Sequence, residues 1–209
     1  MEQKEQTEKW LLGLLYLGIA TISLNVVTDI LVNDSWASYL QLILSGGTVV
    51  CLYMLHLADK QYRLPALIRA VNLILNLATL SISAFVMPEL ITTPEKLNSI
   101  NLFMSLLGIV MSILSVLGLW FEYRAHGGLV SGADPAFQRK WTALFFWHLG
   151  TSLFYSIGTY VAAYLQQVLH WDISTTYALV LAILQLPGKV VYLLYLLYLN
   201  RTIRLVRQS

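Results

Sequence analysis

The sequence predicts an all-α polytopic membrane protein, a bundle of six transmembrane helices arranged as three hairpins with both termini on the cytoplasmic side. Three observations predict it. Apolar residues make up 57% of the 209-residue chain and charged ones only 11%, where a soluble domain carries about a quarter charged. That leaves too little polar surface to cover a water-facing globule. Six stretches, 10–32, 36–58, 65–87, 100–121, 141–166 and 176–200, can each cross ~30 Å of hydrocarbon at ~1.5 Å per residue. Backbone groups in lipid must be satisfied internally, so these stretches are helices. Finally, of the 13 Lys and Arg residues, all but Lys96 and Lys189 fall at the N-terminus, in the second and fourth loops with their helix ends, or in the C-terminal tail. The positive-inside rule puts those regions in the cytoplasm.

The first helix, 10–32, follows "MEQKEQTEKW", a head of mixed charge. No small-residue cleavage site follows its apolar run, which is longer than a signal-peptide core, so a retained helix is expected. Its polar seam is Gly18, Thr21, Asn25 and the pair Thr28–Asp29. The second helix, 36–58, offers Gln41, Ser45, Thr48 and His56. On the third, 65–87, Arg69, Asn72, Asn76, Thr79 and Ser83 recur at the i, i+3 or i+4, i+7 spacing that defines one helix face. The fourth, 100–121, has a start signal in Thr93–Pro94 and carries Asn101, Ser105, Gly108, Ser112 and Ser115 on one face. The fifth, 141–166, follows "GADPAF", in which Asp134 is an N-cap and Pro135 the first helical residue. Its seam is His148, Thr151 or Ser152, Tyr155 and Gly158. The sixth, 176–200, carries Gln185, Gly188–Lys189 and Tyr192. Trp10, Trp36, Trp120, Trp141 and Trp171 lie near helix ends, where interfacial indoles anchor. The glycines of "HGGLVSG" read as a flexible cytoplasmic connector, because no GK[ST] follows to make a phosphate loop. No linker is long or polar enough to mark a second domain, so residues 1–209 form one integral membrane domain.

The even helices also align with one another from Gly47, Gly108 and Gly188. Val follows two residues on, Leu or Ile five on, and Arg sixteen on. Such a match fits a parallel triple-hairpin repeat, although Gly, Val and Leu are common in any membrane helix. In that alignment Lys189 takes a place held by Thr48 and Ile109.

Each helix thus has one small or polar seam, and the seams serve either helix packing or a polar cavity. Lys189 bears on the choice. A cation near the middle of a span costs at least ~2.5–3.5 kcal/mol and should face the bundle. It can use the Ile183 carbonyl freed by Pro187, or Gln185. It can pair with Asp29, about 14 Å away along the helix axes, shed its proton, or bind an anionic group of a ligand. A Pro-Gly interruption at mid-membrane is also how transporters build binding sites. The candidate cavity residues are therefore Lys189, Gln185, Tyr192, Asn72, Asn76, Asp29, Asn25 and Tyr155.

The net charge of +2 gives no sign of a nucleic-acid partner, and one cysteine, Cys51, makes neither an intrachain disulfide nor a CxxC pair. There is no HExxH, no GxSxG and no paired membrane aspartate, and Cys51 and His56 lie roughly 140° apart around their helix. No enzyme is indicated. His56 and His148 could ligate a haem axially, but nothing else marks such a site, so interfacial hydrogen bonding is expected and no cofactor is assigned. Arg69 and Glu122 are placed near the cytoplasmic surface, where they snorkel or pair.

Two functional readings follow for a multi-pass protein of the cell membrane. One is a small-solute binding or transport component taking a small anionic solute around Lys189. The other is an accessory, sensory or scaffolding protein whose stripes serve packing or a partner helix. In size and six-helix outline the chain resembles the substrate-capturing subunits of energy-coupling-factor vitamin transporters. That resemblance covers shape alone: "LGLLYLGIATISL" lacks their A-x-x-x-A pattern, and no site residue is carried over from it.

Overall fold

The computed structural model describes residues 2–30, 35–86, 94–169 and 174–208. They form six long helices: α1 (Glu2–Ile30), α2 (Ser35–Ala58), α3 (Arg63–Ser81), α4 (Pro94–Val130), α5 (Pro135–Leu169) and α6 (Ser174–Gln208). A 3-10 turn, Lys60–Tyr62, leads into α3, and a π turn, Ile82–Val86, ends it. Each helix packs on its neighbours in sequence, and α6 returns to pack on α1. The result is a closed ring, with the widest contacts inside the three hairpins.

Five helices, α1 to α4 and α6, are long and apolar enough to cross a membrane. The sequence calls for six. α5 is long enough at 35 residues, but His148, Thr151, Ser152, Tyr155 and Ser156 dilute its apolar character, and all five line the interior of the ring. Its opposite face is apolar and exposed, from Phe146 and Trp147 to Ile157 and Val161.

The helices also run well past the expected boundaries at one end. α4 has 37 residues, ~55 Å at the helical rise against ~30 Å of hydrocarbon. The excess builds a core at the end where α1 begins and α6 finishes. Among the described buried apolar residues all but Ala37 belong to this end or to the level just above it. Trp141 sits at its centre, fully buried, with Tyr123, Tyr195, Tyr198 and His126 around it at ring distances of 4.9–5.9 Å. Its indole N–H donates to Thr202 Oγ1 at 3.2 Å. The expectation of an interfacial anchor at Trp141 is therefore corrected: the helix starts six residues earlier, at Pro135, so the indole lies inside the bundle rather than at its rim. Trp36 is exposed at the second residue of α2, and Trp171 lies outside the described residues.

The "HGGLVSG" connector is likewise corrected. α4 stays helical to Val130, and His126 and Gly127 are buried. A Cβ on Gly128 would lie 1.9 Å from Gln61 Oε1. Gly128 thus lies against the 3-10 turn and Gly127 against Gln138 and Trp141 of α5, which is a packing role. Asp134 does cap α5: its Oδ1 accepts the Phe137 N–H at 2.9 Å, and its Oδ2 accepts from Arg201 at 2.8 Å. The Thr93 cap lies outside the described residues.

The aligned even helices do not share an environment. Leu52 is buried, while its counterparts Ile113 and Leu193 are exposed. A Cβ on Gly47 would lie 3.0 Å from Leu17, but on Gly108 or Gly188 it would meet nothing. Of the positions aligned with Lys189, Thr48 lines the interior and Ile109 faces outward.

Candidate functional site

Above the aromatic core the ring encloses a polar cavity. A chamber of about 390 Å³ draws residues from all six helices, and a second of about 520 Å³ continues it between α1, α2, α5 and α6. Asn25, Gln41, His148 and Tyr192 line both. Gln41, Ser45, Ser152 and Ser156 line the cavity yet remain exposed, so it opens away from the core. A cavity of this size with a few convergent polar groups is the usual form of a small-molecule site.

The floor is an ion pair. Arg69 Nε and Nη2 both donate to Glu122 Oε2, at 3.2 and 2.9 Å, and Tyr195 O–H donates to Glu122 Oε1 at 2.9 Å. His126 Nε2 lies 3.9 Å from the same oxygen, and the other ring nitrogen bonds the Tyr62 hydroxyl at 2.7 Å. The Glu122 side chain is only 4% exposed and that of Arg69 26%. A buried carboxylate costs several kcal/mol unless paired and hydrogen-bonded, and here both oxygens are engaged. Arg69 also lines the lower chamber. Beside it, Tyr123 stacks on Tyr195, ring centroids 5.4 Å apart, and its hydroxyl meets His148 Nδ1 at 3.2 Å.

Many of the polar groups in the walls are committed to partners. Asn72 Nδ2 donates to Ser115 Oγ at 2.8 Å, which ties α3 to α4. Asn76 donates back to the Asn72 carbonyl at 2.9 Å, and Gln41 Nε2 donates to Asn25 Oδ1 at 3.1 Å. Thr21 and Thr48 bond carbonyls one turn back on their own helices. Such local bonds satisfy hydroxyls inside a membrane.

Of the residues singled out from sequence, Asn72 and Asn76 line the lower chamber, and Lys189, Gln185 and Tyr155 the upper one. Asn25 and Tyr192 stand where the chambers join. Asp29 falls in the last turn of α1, and its side chain lies outside the described residues. Of the two histidines considered for haem, His148 lines the cavity. His56 does not: it packs edge-on against Tyr53, ring centroids 6.4 Å apart.

Sequence reasoning left Arg69, Glu122, Tyr123 and Tyr195 outside the site. It ended the fourth helix at residue 121, which put Glu122 at a water-facing terminus. With α4 running to Val130, Glu122 stands two turns inside the helix. Two signals were available: Arg69 continues the Asn72–Asn76 face, and Glu122 with His126 has i, i+4 spacing.

Compared with known proteins, the chain matches no family model, no curated protein and no solved structure. What it does must be argued from the cavity itself.

Proposed function

We propose that this protein crosses the membrane six times with both termini in the cytoplasm and binds a small anionic solute in its central cavity, as a transport or sensing component. The observation that carries the proposal is a polar cavity inside the ring that holds ionisable side chains. Among its described lining residues are two basic side chains, Arg69 and Lys189, and one acid, Glu122. Intramembrane ionisable groups that face a cavity mark a solute or ion pathway. The orientation follows from the clustering of basic residues at the aromatic end, so the cavity opens away from the cytoplasm. α5 supplies the sixth crossing, its polar side turned to the cavity and its aromatic side to lipid.

The accessory or scaffolding alternative draws on the committed wall groups. The Asn72–Ser115 bond holds two helices together, and Thr79 Oγ1 does the same with Met111 Sδ at 3.6 Å. A thermal-shift series on the detergent-solubilised protein with small anions and vitamins separates the two. The solute reading expects at least one stabilising compound whose effect vanishes in a folded Lys189→Met variant. No stabilising compound, together with altered assembly of that variant, supports the alternative.

A further inference from the structure

The lower chamber balances its own charge. Its described lining includes one fixed cation, Arg69, and one carboxylate, Glu122, and the two are bonded to each other. α1 and α2 contribute only apolar and uncharged polar side chains to it. A solute anion that reaches Arg69 therefore meets a guanidinium already committed to a carboxylate.

Helix packing alone does not call for this pair, since apolar residues of similar volume often do as well. Nor does packing call for its position. Both side chains stand in the chamber wall, and that of Arg69 is 26% exposed. The two carboxylate oxygens also have separate partners. Oε2 takes both arginine donors, while Oε1 takes the Tyr195 hydroxyl. If Arg69 turns to another anion, Oε1 keeps its bond and Oε2 is left to carry a proton.

We infer that an anion bound in the lower chamber brings one proton with it, and that Glu122 Oε2 receives that proton. This rests on the proposed solute reading and names the coupling ion of the same site. The step balances: anion and proton enter through the open mouth of the cavity, and the Arg69–Glu122 pair opens. The guanidinium then pairs with the anion, and an O–H bond forms on Oε2. Without the proton, two anions would share one guanidinium away from bulk water, which favours protonating one of them. The other titratable groups around Glu122 are Tyr123 and His126 of α4, Tyr62 of the 3-10 turn, His148 of α5, and Tyr192 and Tyr195 of α6. The tyrosines already hold their protons at neutral pH. His126 and His148 each have Nδ1 against a tyrosine hydroxyl, Tyr62 and Tyr123.

The test uses the full detergent-solubilised chain with sodium acetate and sodium benzoate, carboxylates that stay charged between about pH 6 and 8. Titration calorimetry in two buffers of different ionisation enthalpy counts the protons bound with each anion. The count should be about one, and Kd should rise by up to about tenfold per pH unit, because the bound state holds the extra proton. Glu122→Gln should bind the same probes with no proton uptake and a Kd that does not change with pH. A ligand-free arm reads the acceptor directly. At neutral pH Arg69→Met should show the infrared C=O band of a protonated carboxyl, because a buried carboxylate without its partner neutralises. Adding Glu122→Gln should remove that band. Binding without proton uptake would overturn the inference and leave the solute reading standing. Uptake that survives Glu122→Gln would overturn it by placing the proton on a histidine, and so would a missing carboxyl band in Arg69→Met. If neither probe binds the native chain or Glu122→Gln, the inference falls together with the solute reading.

Discussion

Replacing Arg69 by methionine removes the guanidinium that bonds Glu122, and leaves a carboxylate that is 4% exposed with His126 Nε2 3.9 Å away. Stranding one partner of a buried pair costs about 3–5 kcal/mol. The reciprocal change, Glu122→Gln, should cost less, about 1–3 kcal/mol. It leaves an Arg69 side chain that is 26% exposed and can be hydrated from the cavity it lines, while the amide oxygen can still accept from Tyr195. Replacing both, as Arg69→Met with Glu122→Leu, removes the desolvation cost with the attraction and should recover most of the loss, since apolar substitutes for buried pairs are often neutral. In a chain of this size 1 kcal/mol moves the melting temperature by roughly 2–4 °C, so Arg69→Met should fall by roughly 6–20 °C. Thermal unfolding of the purified protein, followed by tryptophan fluorescence, reads all three variants. Equal losses from the two single changes, or a double variant whose loss is their sum, would refute the assignment of this pair as a buried, mutually dependent floor.

Two further outcomes follow from the closed end. Tyr62→Phe deletes the 2.7 Å bond to the fully buried His126 and should cost about 1–3 kcal/mol in the same melts, because a buried ring nitrogen is left unsatisfied. A loss below about 0.5 kcal/mol, the ordinary scatter of surface changes, would show that the bond is not made. Gly128→Leu should destabilise the protein by driving Gln61 off α4, and adding Gln61→Ala should restore most of the melting temperature. No restoration would place the strain elsewhere.

The helices were legible because hydropathy reports lipid directly and because Asp134–Pro135 is a local signal. The cavity was legible in part for the same kind of reason: Asn72 and Asn76, or Gln185 and Lys189, share a helix face, and one face of a helix in a closed ring must look inward. What sequence could not supply were partnerships between helices. Trp141 near a helix end looks like an anchor until α5 is known to begin at Pro135 and α6 to run to Gln208, past Thr202. The glycines of "HGG" look flexible until Trp141 is found against Gly127 and Gln61 against Gly128. From sequence Glu122 either snorkels or pairs near the surface, and only the structure sets Arg69 and Tyr195, 53 and 73 residues away, on its two oxygens. Even the dilution of α5 by hydroxyls, which weakens it as a membrane span, makes sense only once its inner face is known to line the cavity.

The central claim is that a water-accessible chamber lies inside the ring, and cysteine accessibility in sealed vesicles tests it most directly. The background is Cys51→Ala, since Cys51 is the single cysteine. Gln185→Cys, in the chamber, is compared with Ile183→Cys, 55% exposed on the outside of the same helix. A charged, membrane-impermeant thiol reagent should modify Gln185→Cys readily and Ile183→Cys barely at all, because a charged reagent does not enter hydrocarbon. Equal inertness at both positions, or reaction at Ile183→Cys alone, would contradict the account.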